Sequence, residues 1–488
     1  MNKFIKFSFV SLFAFAVQAQ ERKVDFVEYD LDNGMHVILH EDNSTPIVAV
    51  SVLYHVGSKN ENPDRTGFAH FFEHLLFEGS ENIARGEYDQ YVERNGGTLN
   101  ANTSQDRTYY YEIFTSNNLE LGLWLESERL LHAKVDDIGI ETQREVVKEE
   151  KRQRVDNQPY GTFMEEAFKR LFTQHPYNWV PIGSMEHLDA AQEEDYVNFY
   201  HTFYVPKNAT LAIAGDINID EAKELIDKYF ATIPKGQAIN LYRDFLKLDE
   251  ATFKTKYAVD KSAFNREDFF KTDTKKGLST IKKYEAKEIV IPRPDVVEPP
   301  LKEVKKDIIY DNVQLPGVMV AYRSPKQNSK DAYALEMLNT VLAGGTSSRM
   351  NKNIVERKEL AVTAFSFNFP LEDPGMLLTA AIGAMDVDPD DVLEAIDSEI
   401  KKVKTELVSE EEFQKVKNQF ENQFYSSNSS VAGIAESLAN NYVYFGNTNL
   451  INDELNIYDD ITREDLREVA KKYFTQDARV ILYYLPKE

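Results

Sequence analysis

Two histidines one helical turn apart, with a glutamate just before the second, form the segment His70-Phe71-Phe72-Glu73-His74. On a helix, side chains four residues apart lie one above the other, so both imidazoles can reach one Zn²⁺ at about 2.0–2.1 Å. Glu73 projects into the same arc, where it can take a proton from water that the metal brings to a pKa of about 7. The order is that of the metalloprotease helix His-Glu-x-x-His with the acid moved to the other end. A pair of histidines on a helix is more often packed or solvated than metal-binding. Here, however, Phe71, Phe72, Leu75 and Leu76 make the helix strongly apolar, and burying two His and a Glu without partners costs several kcal/mol. A metal would satisfy all three.

Other elements must bring the remaining ligands to this helix. Thr66 suits its start and Gly79 its end, a span of about three turns. Strands are expected on either side: the β-branched run from Ile47 to Tyr54, a strand-like stretch after Gly96-Gly97, and another from Thr108 to Phe114. A helix from Leu119 to Leu131 follows, and Asp136-Asp137 starts the next, from about Ile138 to Gln153. In that helix Gln143, Val146, Val147 and Glu150 share one stripe, while Glu145 and Glu149 point to solvent. Glu150 is therefore either a third metal ligand or half of a partly buried salt bridge.

Composition narrows the choices. The 488 residues contain no cysteine, so zinc must be held by His and carboxylate, and all 9 histidines lie at or before His201. A net charge of −25 argues against nucleic acid, whose phosphates are met by basic patches. Lys3 and Lys6, the apolar run Phe7 to Val17 and Val17-Gln18-Ala19 read as a cleavable export signal over 1–19. A mature chain in the periplasm or outside the cell is expected, with no later transmembrane stretch.

The order of elements repeats. Val318 to Tyr322 takes the place of the strand near Val50, Asp331 to Leu342 that of the motif helix, and Ala361 to Phe367 with Met376 to Ile382 that of the paired strands. The expected fold is α+β, with two duplicated half-domains, each a mostly antiparallel sheet packed with helices. Residues 20–233 would form the metal-binding half, 234–305 a linker with a charged insertion, and 306–488 a second half lacking any histidine.

Together, His70-x-x-Glu73-His74, Gly96-Gly97-x-x-Asn100-Ala101-x-Thr103 and Arg144-Glu145-Val146-Val147-Lys148-Glu149-Glu150 resemble the pitrilysin/insulinase family of zinc peptidases, which includes the mitochondrial processing peptidases. The resemblance covers nearly all of the chain after the signal. It implies Glu150 as the third zinc ligand, Glu73 as general base, and Asn100 and Ala101 on an edge strand that binds substrate backbone. It also implies that this pair of halves faces another such pair to enclose a chamber.

Two departures from the family pattern stand out. Gln143 replaces a glutamate found in many relatives, which weakens support for the metal site because an amide cannot raise ligand basicity as a carboxylate does. Val355 and Val362 occupy positions where active relatives carry an Arg and a Tyr that stabilise the oxyanion. The expectation is a zinc-bearing endopeptidase subunit whose paralogous partner supplies Arg and Tyr, or a homodimer. The alternatives are a non-catalytic peptide-binding or assembly subunit, and a zinc hydrolase of non-peptide substrates.

Overall fold

A computed structural model describes residues 23–270 and 278–487. The expected export signal lies outside the described residues. Among those residues, no helix is long and apolar enough to cross a membrane.

Two sheets organise the chain. The first holds β1 (Val27–Asp30), β2 (His36–Glu41), β3 (Ile47–Tyr54), β4 (Thr98–Thr103), β5 (Thr108–Thr115) and β6 (Ala209–Gly215), in the order β1-β2-β6-β3-β5-β4. The second holds β7 (Lys305–Asp311), β8 (Gly317–Arg323), β9 (Ala361–Phe369), β10 (Met376–Gly383) and β11 (Val480–Pro486), in the order β7-β11-β8-β10-β9. In each sheet the last strand in sequence returns to lie parallel to the first of the repeat, β6 on β2 and β11 on β7, and every other pair is antiparallel. Apart from the added β1, the two topologies are identical. The duplicated α+β unit expected from the order of elements is thus present, and each half ends in a crossover that a parallel pair requires.

Five helices matter most for the site: α1 (Phe68–Leu75), α2 (Leu119–His132), α3 (Asp137–Lys151), α4 (Phe163–Leu171) and α5 (Val431–Asn440). α1 and α2 pack with the inner face of the first sheet in a core containing Val50, Val52, Phe72, Leu75, Phe114 and Leu123. α4 and α5 make an exchange between the halves. α4, from the first half, packs Phe168 and Leu171 on Met319, Leu378 and Leu482 of the second sheet. α5, from the second half, lays Ile434, Ala435, Leu438 and Ala439 on Ile38, Ala49, Leu53 and Ala212 of the first. Alanines on both surfaces of this second contact let helix and sheet approach closely.

Residues 234–305, expected to be a linker with a charged insertion, contain helices Ala238–Lys247, Glu250–Tyr257 and Leu278–Glu285 among the described residues. Ile239, Tyr242, Phe253, Phe264 and Ile281 from this stretch are buried in the first core.

Between the halves lies a buried ionic cluster. Lys59, 3% exposed, binds Asp106 of the first half at 2.9 Å and also Glu372, from the β9–β10 loop of the second. His55 meets Glu372 at 3.0 Å, and Glu372 donates its backbone N–H to Asp106 at 2.9 Å. Burial pushes the Glu372 carboxyl up, but His55 and Lys59 more than offset it and leave it at about 2. The ordinary value is about 4.5, so its ionised form favours the folded state above that pH and this contribution is lost as pH falls from about 4.5 towards 2. Glu372→Gln should lower the thermal midpoint at pH 7 and flatten its acid dependence in this window. Calorimetry at a series of pH values checks this, and an unchanged slope would exclude Glu372 as a source.

Candidate metal and peptide site

α1 begins differently from expectation. Its N-cap is Gly67 at φ 94°, where a side chain would be strained, and Thr66 instead meets Nδ1 of His187 at 2.8 Å. The cap comes from Glu61, whose two carboxylate oxygens accept the backbone N–H groups of Gly67 at 2.9 Å and Ala69 at 2.8 Å. The helix ends at Leu75, short of Gly79, and Arg129 of α2 donates to the carbonyl of Leu76 at 3.0 Å. An acid at the N-terminus and a cation at the C-terminus both complement the helix dipole. Arg129 is fully buried, lies over the rings of Phe77, Tyr88 and Tyr110, and binds Glu126 and Glu112. The apolar side of α1 is fixed by Phe68 stacked on Tyr196 and Phe72 stacked on Phe199.

The opposite side presents His70, Glu73 and His74. α3 starts at Asp136, whose side chain accepts from the N–H of Gly139 at 2.9 Å, and runs against α1 so that Glu150 arrives between the imidazoles. The Nε2 atoms of His70 and His74 are 3.3 Å apart, and Glu150 Oε2 is 3.5 Å from the first and 3.1 Å from the second. Arg154 takes the other Glu150 oxygen at 2.7 Å, which leaves Oε2 to the imidazoles. Burial and the neighbouring His74 push His70 down to about 4, so it is a neutral ring with a lone pair to give.

Three atoms of this kind fit a metal. A tetrahedral ion with bonds of about 2.0–2.1 Å has ligand–ligand edges of about 3.3 Å, and the three observed separations scatter around that value. Two imidazoles and one carboxylate are also the ligand set of a catalytic zinc site with one position left open. Among the described residues, no other group of three or more His, Asp or Glu meets the same spacing.

Glu73 is half-buried beside this trio. Burial raises its carboxyl above the usual range, with the Thr103 hydroxyl and His74 opposing the shift. Thr103 ends β4, the edge strand of the first sheet, which packs against α1. Asn100 and Ala101 lie on β4, paired with Tyr111 and Tyr110 of β5. The Asn100 side chain accepts the N–H of Ala101 at 2.9 Å.

The segment 36–177 matches the family model described as insulinase (peptidase family M16), and 191–420 matches the one described as peptidase M16 inactive domain. Zinc protease PqqE of Helicobacter pylori is 30% identical over 456 residues, covering 93% of this chain and 91% of that protein. The chain belongs to the insulinase (M16) family. A crystal structure of a protease from Helicobacter pylori superposes with a TM-score of 0.80 at 28% identity, covering 95% of this chain and all of that one. A probable mitochondrial-processing peptidase subunit beta of Arabidopsis thaliana is 22% identical, over 91% of this chain and 75% of its own length.

The other positions singled out in this M16 chain are not among the three residues whose atoms fit the ion. Gln143 gives its amide to Glu78 at 2.6 Å, and its own Oε1 is buried without a donor. Val146, expected on the buried stripe of α3, is 43% exposed, whereas Val147 is buried. Val355 is half-buried against the second core, and Val362 stands exposed on β9, the edge strand of the second sheet. Sequence reasoning missed Glu61, Arg129 and Arg154. Arg154 follows Glu150 by four residues, the spacing of a helical ion pair, and could have been found from that.

Proposed function

We propose that this chain is a zinc-dependent endopeptidase in which His70, His74 and Glu150 hold one Zn²⁺ and Glu73 moves the proton. The observation that carries the reading is the near-equal spacing of the three ligand atoms. When bound, zinc supplies a Lewis acid that polarises the scissile carbonyl and acidifies water.

Glu73 takes the proton of the attacking water and gives it to the leaving amine. Its burial favours the protonated form and so strengthens it as a base. Asn100 and Ala101 offer an edge on which a peptide lies as an added strand. Val355 and Val362 bring no donor or charge, so a paralogous partner chain carrying Arg and Tyr completes the oxyanion site. The export signal read at 1–19 favours a periplasmic or secreted location.

The match of 191–420 to a domain described as inactive favours a second reading, a non-catalytic peptide binder. Metal analysis separates the two. The peptidase reading expects one zinc per chain, loss of peptide cleavage on chelation, and recovery when zinc is restored. Protein purified free of metal, with unchanged affinity for peptides, would favour the binder.

A further inference from the structure

We propose that Glu61 is a positioning residue that sets the metal helix against the substrate edge, an inference that rests on the zinc reading above. Glu61 is 6% exposed, and three N–H groups converge on its two oxygens: those of Gly67, Ala69 and, at 3.0 Å, the indole of Trp179. All three donors need a lone pair on these two oxygens, so the carboxyl serves them as an acceptor; burial pushes it up to about 8, and the N–H groups of Ala69 and Gly67 and the Trp179 indole pull against that shift. Gly67, the N-cap itself, has no side chain to do this work.

The segment bearing Glu61 is also bound to the turn between β4 and β5. The N–H of Ser58 donates to Ser104 O at 3.2 Å and that of Lys59 to Gln105 O at 3.0 Å. A side chain on Gly57 would collide with the Gln105 backbone, so the approach is as close as glycine permits. Trp179 closes the arrangement by donating to Ser58 O at 2.9 Å as well. One short stretch, 57–61, therefore grips the end of the edge hairpin with its backbone and the start of α1 with its carboxylate. The separation between His70 and Asn100 depends on it.

The test uses the full chain and its Glu61→Gln and Glu61→Asp variants, with zinc affinity read by chelator competition well below the thermal midpoint. Loss of a group that orients ligands typically costs about 10–100-fold in metal affinity. Glu61→Gln should raise the zinc Kd at least tenfold and, at saturating zinc, lower kcat more than it changes KM. Glu61→Asp, which keeps a carboxyl acceptor, should recover part of both. A Kd within twofold of the parent in both folded variants, even with a lowered thermal midpoint, would reduce Glu61 to a stabilising residue and overturn the proposal. If Glu61→Gln does not fold, Glu61→Asp decides: a Kd within twofold overturns the proposal and a larger rise supports it. A parent chain that binds no zinc would instead remove the metal reading itself.

Discussion

Glu73→Gln is expected to keep one zinc per chain while peptide cleavage falls by about 10²–10⁴-fold, the range that general acid–base groups contribute. The amide has nearly the shape of the carboxylate but cannot take a proton. Glu73 is not among the three atoms that fit the ion, so metal content should not change. Metal analysis and a peptide assay on the same preparation check both halves of the expectation. Cleavage at the parent rate would remove Glu73 from the proton transfer, and loss of zinc would make it a ligand.

Adding a paralogous chain that carries the Arg and Tyr should raise cleavage by about 10²–10³-fold over this chain alone, since that is the usual contribution of oxyanion donors. Val362 stands exposed on edge strand β9, and a valine there has neither the donor nor the charge of the residues it replaces. Val355 packs against the second core instead. The comparison requires each chain purified separately and then mixed at equal concentration. Equal rates for the single chain and the mixture would show that the valines are no handicap.

Helical periodicity puts His70 and His74 on one arc and Glu150 on a stripe of another helix, and the family resemblance is what joined that acid to the imidazoles. The duplicated sheets were legible for a similar reason, since β-branched strands and amphipathic helices recur in the same order. What holds α1 was not. Its cap comes from a carboxylate six residues upstream in an irregular segment, and nothing local marks Glu61 as different from a solvated acid. The helices after Pro234 were hidden by the Lys, Asp and Glu that dominate the stretch as a whole, although Ala238, Ile239, Leu241 and Tyr242 give the first of them a buried apolar face. Nor does any local pattern in α4 or α5 say which sheet it will cover, because that is decided by contacts between residues far apart in sequence.

The reciprocal placement of α4 and α5 bears on how the chain matures. Ile38, Ala49, Leu53 and Ala212 face water until residues 431–440 have been made and have docked on them. A ribosome-bound or truncated product ending before Val431 would carry this bare surface however well its strands had paired, and such surfaces drive aggregation. The metal-bearing half made on its own would leave this face of its sheet uncovered, because the helix that covers it is among the last to be synthesised.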